Sequence, residues 1–287
     1  MEYKFILYSV DDKVATITLN RPKQLNAMNA SVKQELKDAV AEAVADDDVR
    51  VIVLTGTGKA FSAGNDLQNN YENPPQCMED WRTRLHREIQ FCLTFWDCPK
   101  PVIAAVNGYC LASASELAMS CDITIAAASA VFGEPEVRQS SGPPMLLAPW
   151  IMGPKRAKEM LLTGNMVSAE VAEKYGMVNH VVPDDQLMTF TYRMAKKIAA
   201  IDPFAIKLSK YTINRAFDVM GFKTALQVNS DLMAIVNNEE TEHIKWFKQR
   251  AAEKGFKEAN AERLMQFKLL DDLDKQPLDA PPEPKKA

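Results

Sequence analysis

The chain has 287 residues, 47% of them hydrophobic and 25% charged, with a formal net charge of −4. This is the balance of a globular protein with a substantial core. It excludes the strongly basic face that nucleic-acid binding needs, and no apolar run reaches the ~18 residues of a membrane span.

Residues 3–10 and 13–19 are rich in β-branched and aromatic side chains, and Asp11-Asp12 between them is a turn signal. They predict a hairpin. Asn20-Arg-Pro-Lys interrupts it, and residues 30–45 then carry an apolar stripe at helical spacing, Val32, Leu36, Val40, Ala43 and Val44. Residues 51–54 form a short apolar run ending at Thr55-Gly56, as a buried strand does. A helix ending near Trp96, a strand over 102–106, a helix over 112–121 and a strand over 123–126 continue the alternation. Alternating strands and helices predict an α/β layered fold with crossover connections. Residues 68–78, polar and containing Pro74-Pro75, read as a mobile loop. Helices are expected over 153–163 and 168–175, the second with Ser168 as N-cap and Gly176 as stop. From Asp184 onward the pattern is almost wholly helical. The resulting division is a core over 1–200, a helical subdomain over 201–275 and a disordered proline-rich tail over 276–287.

The five cysteines are odd in number, with no CxxC or CxxH spacing, and the three histidines, His86, His180 and His243, are far apart. Neither a disulfide framework nor a metal site is expected. Residues 1–10 lack a secretory pattern and the C-terminus lacks a peroxisomal address, so a cytoplasmic location is the expectation.

Two loops stand out. Lys59-Ala-Phe-Ser-Ala-Gly-Asn-Asp-Leu67 follows one buried strand, and Asn107-Gly-Tyr-Cys-Leu-Ala-Ser-Ala-Ser-Glu116 follows another. Each is a strand, a small-residue turn and a helix start, where free backbone N–H groups suit a negatively charged oxygen. Two such loops side by side would form an oxyanion hole. Glu116 stands one helical turn beyond Ser113, on the same face, among apolar neighbours that would raise its pKa. Taken alone, a first-turn Glu is also favourable in any helix. Glu136, with Glu134 beside it, reads by itself as a solvated loop carboxylate.

The ordered set of motifs resembles the crotonase (enoyl-CoA hydratase/isomerase) superfamily, closest in active-site pattern to enoyl-CoA hydratases. The set is Asn20-Arg-Pro-Lys-Gln-Leu-Asn-Ala27, Phe61-Ser-Ala-Gly-Asn-Asp66, Pro101-Val-Ile-Ala-Ala-Val-Asn-Gly108 with Glu116-Leu-Ala-Met-Ser-Cys-Asp-Ile123, Phe132-Gly-Glu-Pro-Glu136, Leu161-Leu-Thr-Gly164 and Gly176-Met-Val-Asn179. The resemblance implies a spiral of ββα repeats with a helical C-terminal trimerisation region, assembled as a homotrimer or dimer of trimers. It implies an acyl-CoA thioester substrate in fatty acid metabolism, with coenzyme A part of the substrate and no separate cofactor. It gives the N–H groups of Asn65 and Ser113 as oxyanion donors and Glu116 and Glu136 as the water-handling carboxyls. Coenzyme A contacts would be Lys23, Gln24, Leu25, Lys59, Ala63, Asp66 and Leu67. The activity implied is reversible hydration of a 2-enoyl-CoA. Isomerisation, C–C cleavage of an acyl-CoA, and non-catalytic acyl-CoA or RNA binding are the alternatives.

Two departures from the family pattern bear on the acyl site. Ala112-Ser-Ala114 replaces a run of glycines, and Pro144, which has no N–H, stands near a position that donates to the water in hydratases. Arg138 is a candidate for acyl recognition or for a salt bridge with Glu134 or Glu136. Tyr71, Trp81, Trp96 and Trp150 could line an acyl pocket, but each reads first as core packing.

Overall fold

The hairpin forms as the turn signal predicts. In the computed structural model, which describes residues 2–273, β1 (Ile6–Asp11) pairs antiparallel with β2 (Val14–Leu19). The turn residues Asp12 and Lys13 take φ of 44° and 67°, the left-handed geometry that matches the twist of a tight hairpin. Helix α1 (Ala30–Ala45) follows, capped by Asn29, whose side chain accepts the Val32 N–H at 3.0 Å. It buries Val32, Leu36, Ala39, Val40 and Ala43.

Three similar turns of chain come next. The first is β3 (Val51–Gly56), β4 (Ala60–Ser62), α2 (Leu67–Glu72) and α3 (Met78–Trp96). The second is β5 (Val102–Val106), β6 (Tyr109–Leu111) and α4 (Ser113–Ser120). The third is β7 (Ile123–Ala127), β8 (Val131–Gly133) and α5 (Ala148–Thr163). Each turn lays its first strand in one sheet and its second in another before a helix closes it. This is the spiral of ββα repeats. After it come β9 (Val167–Ser168), α6 (Ala169–Tyr175), β10 (His180–Val182) and α7 (Leu187–Ala199). The larger sheet has the order β1-β2-β3-β5-β7-β10 and the smaller the order β4-β6-β8-β9.

Strands β3, β5 and β7 of the large sheet lack polar alternation because both of their faces are covered. Ile52 and Leu54 enter one core, shared with α1 and α3, while Val51 and Val53 enter a second, shared with Leu187 and Ala195 of α7. Helices α8 (Pro203–Val219) and α9 (Phe222–Asn238) complete the first compact unit. Trp96 stacks on Phe222 with centroids 4.7 Å apart, and Trp150 meets the same ring edge-on at 5.5 Å. These two tryptophans therefore pack helices together. A second unit begins at Glu240 and contains α10 (Glu242–Lys254) and α11 (Phe256–Leu273).

By Cα packing the first compact unit runs to Glu239, and α9 contributes Phe222 and Leu226 to its core. Two expectations are corrected. Residues 67–72 are helix α2 rather than loop, since Asp66 accepts the Asn69 N–H and caps a turn there. Helix α5 starts earlier than 153 and is kinked at Gly153, which takes φ 76° and ψ 166° before Pro154 restarts the helix. The tail over 276–287 lies outside the described residues.

Candidate active site

Strands β4, β6 and β8 run parallel as neighbours in the small sheet. The chain therefore leaves all three at the same end, with adjacent strands about 4.8 Å apart. β4 leads into Ala63-Gly64-Asn65, β6 into Ala112-Ser113, and β8 into Glu134-Pro135-Glu136. Segments distant in sequence are brought together by sheet order alone.

The first loop is held by the motif at 20–27. The buried Asn26 side chain donates to the carbonyls of Thr57 and Ala60 at 2.9 and 2.7 Å and accepts from the Arg21 N–H at 2.8 Å. The Ser62 hydroxyl donates to the Asn26 carbonyl and accepts from the Gly64 N–H. Arg21 reaches the Asp66 carboxylate at 3.1 Å. A parallel bridge between Met28 and Asn65 finishes the frame: Met28 N–H donates to Gly64 O and Asp66 N–H to Met28 O. Such a bridge uses the peptide groups flanking Asn65, so Asn65's own N–H points away from it.

Gly64 explains how close the two loops come. Its φ is +88°, and a Cβ there would lie 2.6 Å from the Leu111 carbonyl, 2.9 Å from Ala112 Cβ and 3.2 Å from the Ser113 nitrogen. The backbone at 64 thus lies directly against the start of α4. Ser113 is the first residue of that helix, so its N–H has no intrahelical acceptor. The Ser113 N–H therefore lies beside the Gly64 backbone that leads into Asn65.

The replaced glycine run has a specific consequence. The unusual backbone falls on Ala112, at φ 55° and ψ −131°, and not on Ser113. Ala112 is held there by its N–H bond to the Gly133 carbonyl at 2.8 Å and by its carbonyl, which accepts from Ser115 and Glu116. A non-glycine residue in such a region costs roughly 1–3 kcal/mol. Ala112→Gly is therefore expected to raise stability by about 1 kcal/mol after the entropic cost of glycine, read as a higher midpoint in urea unfolding.

Glu116 projects from α4 and is fully buried. Its Oε1 accepts the Met145 N–H at 2.5 Å, while its Oε2 takes no partner among the described residues. Burial, then the charge of Glu136, holds its pKa well above the usual carboxylate range. Glu136 as a residue is half-buried, but its Oε2 is shut off from solvent and unpartnered. Burial pushes its pKa up to about 7.

The reading of residues 134 and 136 as a solvated loop does not hold. Phe132 is buried in β8, and alternation sends Glu134 to the same side, where it is 1% exposed with both oxygens unpartnered. The pKa of Glu134 is raised by burial and by the charges of Glu116 and Glu136.

A group with a raised folded pKa favours folding at low pH. The Glu136 contribution is full below its ordinary 4.5 and is lost as pH rises through about 7. Thermal unfolding of Glu136→Gln is expected to show a flatter pH dependence than the parent across that window.

Other predicted residues fall as follows. Pro144 is buried and carries no N–H, and the next residue, Met145, supplies the donor to Glu116. The carbonyls of Pro143 and Pro144 accept from the Asn229 side chain of α9 at 2.8 and 3.1 Å, which fixes the segment. Arg138 is buried, with its guanidinium on the Thr163 carbonyl at 2.9 Å and on the Asn165 side chain at 2.5 Å. Trp81 is half-buried on α3 under the Arg84 guanidinium, 5.8 Å from its ring centre. Lys23, Gln24 and Leu25 are exposed on the motif that carries the first loop, and the Leu25 carbonyl accepts the Ala63 N–H. Lys59 is exposed at the β3–β4 turn, and Asp66 and Leu67 begin α2.

Sequence reasoning missed Lys33, Met145 and Asn229. Lys33 of α1 donates to the Asn65 side chain at 2.6 Å and pairs with Glu88 of α3, so it steadies the first loop from behind. A cleft of about 570 Å³ opens beside Asn65, lined also by Lys33, Arg84, Glu88 and Phe91. A lysine at helical spacing looks like any surface lysine, and only the fold brings α1 and α3 together here.

The enoyl-CoA hydratase/isomerase family model matches residues 9–260. A solved enoyl-CoA hydratase/isomerase from Xanthobacter autotrophicus superposes with a TM-score of 0.89 at 40% identity, covering 92% of this chain and 99% of that one. The crotonyl-CoA hydratase of Syntrophomonas wolfei is 34% identical over 82% of this chain and 90% of its own. The short-chain-enoyl-CoA hydratase of Clostridium acetobutylicum is 35% identical over 80% and 88%. Together with two loop N–H groups and buried carboxyls at one sheet end, these likenesses establish that the chain belongs to the enoyl-CoA hydratase/isomerase family, within the crotonase superfamily.

Proposed function

We propose that the protein is an enoyl-CoA hydratase, a hydro-lyase that adds water reversibly across the C2–C3 bond of a 2-enoyl-CoA. The observation that carries this reading is the placement of two enclosed carboxyls, Glu116 and Glu136, at the sheet end that also presents the Asn65 and Ser113 donors. The thioester oxygen would lie between the two N–H groups, which stabilise the negative charge it gains. One carboxyl takes a proton from water as the water oxygen bonds to C3. The other delivers a proton to C2 as the enolate collapses. One proton is taken and one is given, so proton exchange between the carboxyls and solvent restores the site. A burial-raised Glu136 suits such exchange near neutral pH.

The coenzyme A moiety would run over Lys23, Gln24 and Leu25 and along Ala63, Asp66 and Leu67, with Lys59 within reach of a phosphate. Coenzyme A belongs to the substrate, and the chemistry draws on carboxyls and backbone N–H groups alone. Copies of the chain associate through α8, where Phe204, Tyr211 and Val219 are 68%, 63% and 77% exposed. Such an apolar face supports the trimer or dimer of trimers implied by the family. Among the described residues no helix is long and apolar enough to cross a membrane, which is compatible with a cytoplasmic location.

The reading is tested by following the absorbance of the conjugated thioester in a panel of enoyl-CoAs of different length, branching and aromatic character. Consumption of at least one to its 3-hydroxyacyl-CoA is expected. A panel in which none is consumed would overturn it.

A further inference from the structure

The cleft of about 570 Å³ beside Asn65 is walled by α1, α2 and α3. It adjoins the reacting end of the site. Asn65 carries one oxyanion donor, and Phe91 in the wall precedes Cys92, a buried thiol that feels the charges of Glu116, Glu88 and Lys33 together. None of the proposed coenzyme A contacts lines the cleft, which leaves it to the acyl group.

Its walls do not suit a hydrocarbon tail. Beside Met28, Phe91 and two prolines, the lining is largely amide and charged groups, with Asn69, Asn70 and Asn73 of the α2 segment among them. A methyl-ended chain would strip water from these groups and return no hydrogen bond. The charged groups differ in what already holds them. Lys33 is paired with Glu88, and Asp80 accepts the Gln76 N–H at 2.9 Å. Arg84 is half-buried and makes no ion pair among the described residues. Its Nη2 donates to Asn70 Oδ1, and its guanidinium lies 5.8 Å from the Trp81 ring centre. The acid that acts on it, Glu88, is the one Lys33 already holds, and burial pulls the Arg84 pKa down. A guanidinium stripped of water, with N–H groups uncommitted, is complementary to a carboxylate. Arg87 and Lys37 add positive charge to the same cleft.

We propose that the cleft takes the distal end of an acyl chain that carries a carboxylate, and that Arg84, held by Asn70 beside Trp81, is the residue that selects it. The inference rests on the hydration reading for the placement of the thioester at Asn65, but not for the charge of the tail.

Binding of unreactive saturated acyl-CoAs tests it, in pairs of equal chain length that end in methyl or in carboxylate, with free coenzyme A as the reference. The parent protein is expected to bind the carboxylate member of at least one pair about ten- to a hundredfold more tightly. Arg84→Met, which keeps the stem and removes the charge, should bring that ratio close to parity. A parent protein with no preference for carboxylate at any length would overturn the proposal, and so would a preference that survives in Arg84→Met. A variant that loses free coenzyme A and both kinds of thioester alike would assign Arg84 to a coenzyme A phosphate and overturn it as well. If Arg84→Met does not fold, Arg84→Gln takes its place. A protein that prefers the carboxylate but hydrates none of the matching 2-enoyl-CoAs would defeat the hydration reading and leave this proposal standing.

Discussion

Glu116→Gln is expected to lower the rate of enoyl-CoA hydration by about 100- to 10,000-fold, the usual worth of a positioned acid–base group. Its amide keeps the size and can still accept the Met145 N–H, so the helix start should hold. It cannot take a proton from water. Glu136→Gln should fall in the same range, because the scheme needs one carboxyl to take a proton and another to give one. The comparison is informative in itself. A double-bond isomerase shuttles one proton with one carboxylate and would tolerate the loss of one glutamate far better than the other. Steady-state rates for both variants, with binding of a saturated acyl-CoA as a control, are the measurement. Unchanged binding with a collapsed rate places the defect in the chemical step.

The second large effect is expected at Gly64. Alanine there would press its Cβ on the Leu111 carbonyl and Ala112 at 2.6 and 2.9 Å and would have to hold a φ of +88°. The first loop must then move away from α4, taking the Asn65 N–H with it. Loss of one oxyanion donor costs about 100- to 1,000-fold in rate. The same substitution should cost roughly 1–3 kcal/mol of stability through its backbone strain. Rate and unfolding midpoint measured together separate the two. A folded Gly64→Ala protein with an undiminished rate would mean that Asn65 is not a donor in the reaction.

The elements that sequence makes plain here are those whose signal is local. Strand β5 is an unbroken apolar run, and the predicted bounds 102–106 match its observed bounds. Helix α6 has its cap and stop in the sequence, and Ser168 and Gly176 do what their types suggest. The site is legible only in part, because much of it is assembled at long range. Asn26 looks like one more loop asparagine until its amide is seen holding two carbonyls of the β3–β4 turn. Glu134 sits in a Gly-Glu-Pro-Glu stretch that reads as a solvated turn. It is buried because it follows β8, an inner strand of the small sheet between β6 and β9, a fact of strand order that no local pattern encodes. Asn229 acts on Pro144 from 85 positions away in sequence. The Ala112-Ser-Ala114 departure is visible in sequence, but which residue bears the unusual backbone is not. The fold assigns it to Ala112 and leaves Ser113 helical.

The most direct test follows both new bonds of a single addition. The protein would be incubated with crotonyl-CoA in water labelled with oxygen-18 and deuterium, and the thioester pool analysed for label at each carbon. Two carboxyls handling one water predict oxygen-18 at C3 and deuterium at C2 in the 3-hydroxyacyl product, with both labels introduced about 100- to 10,000-fold more slowly by Glu116→Gln. Deuterium exchange into the substrate without oxygen-18 at C3 would contradict hydration and leave only enolate chemistry at this site.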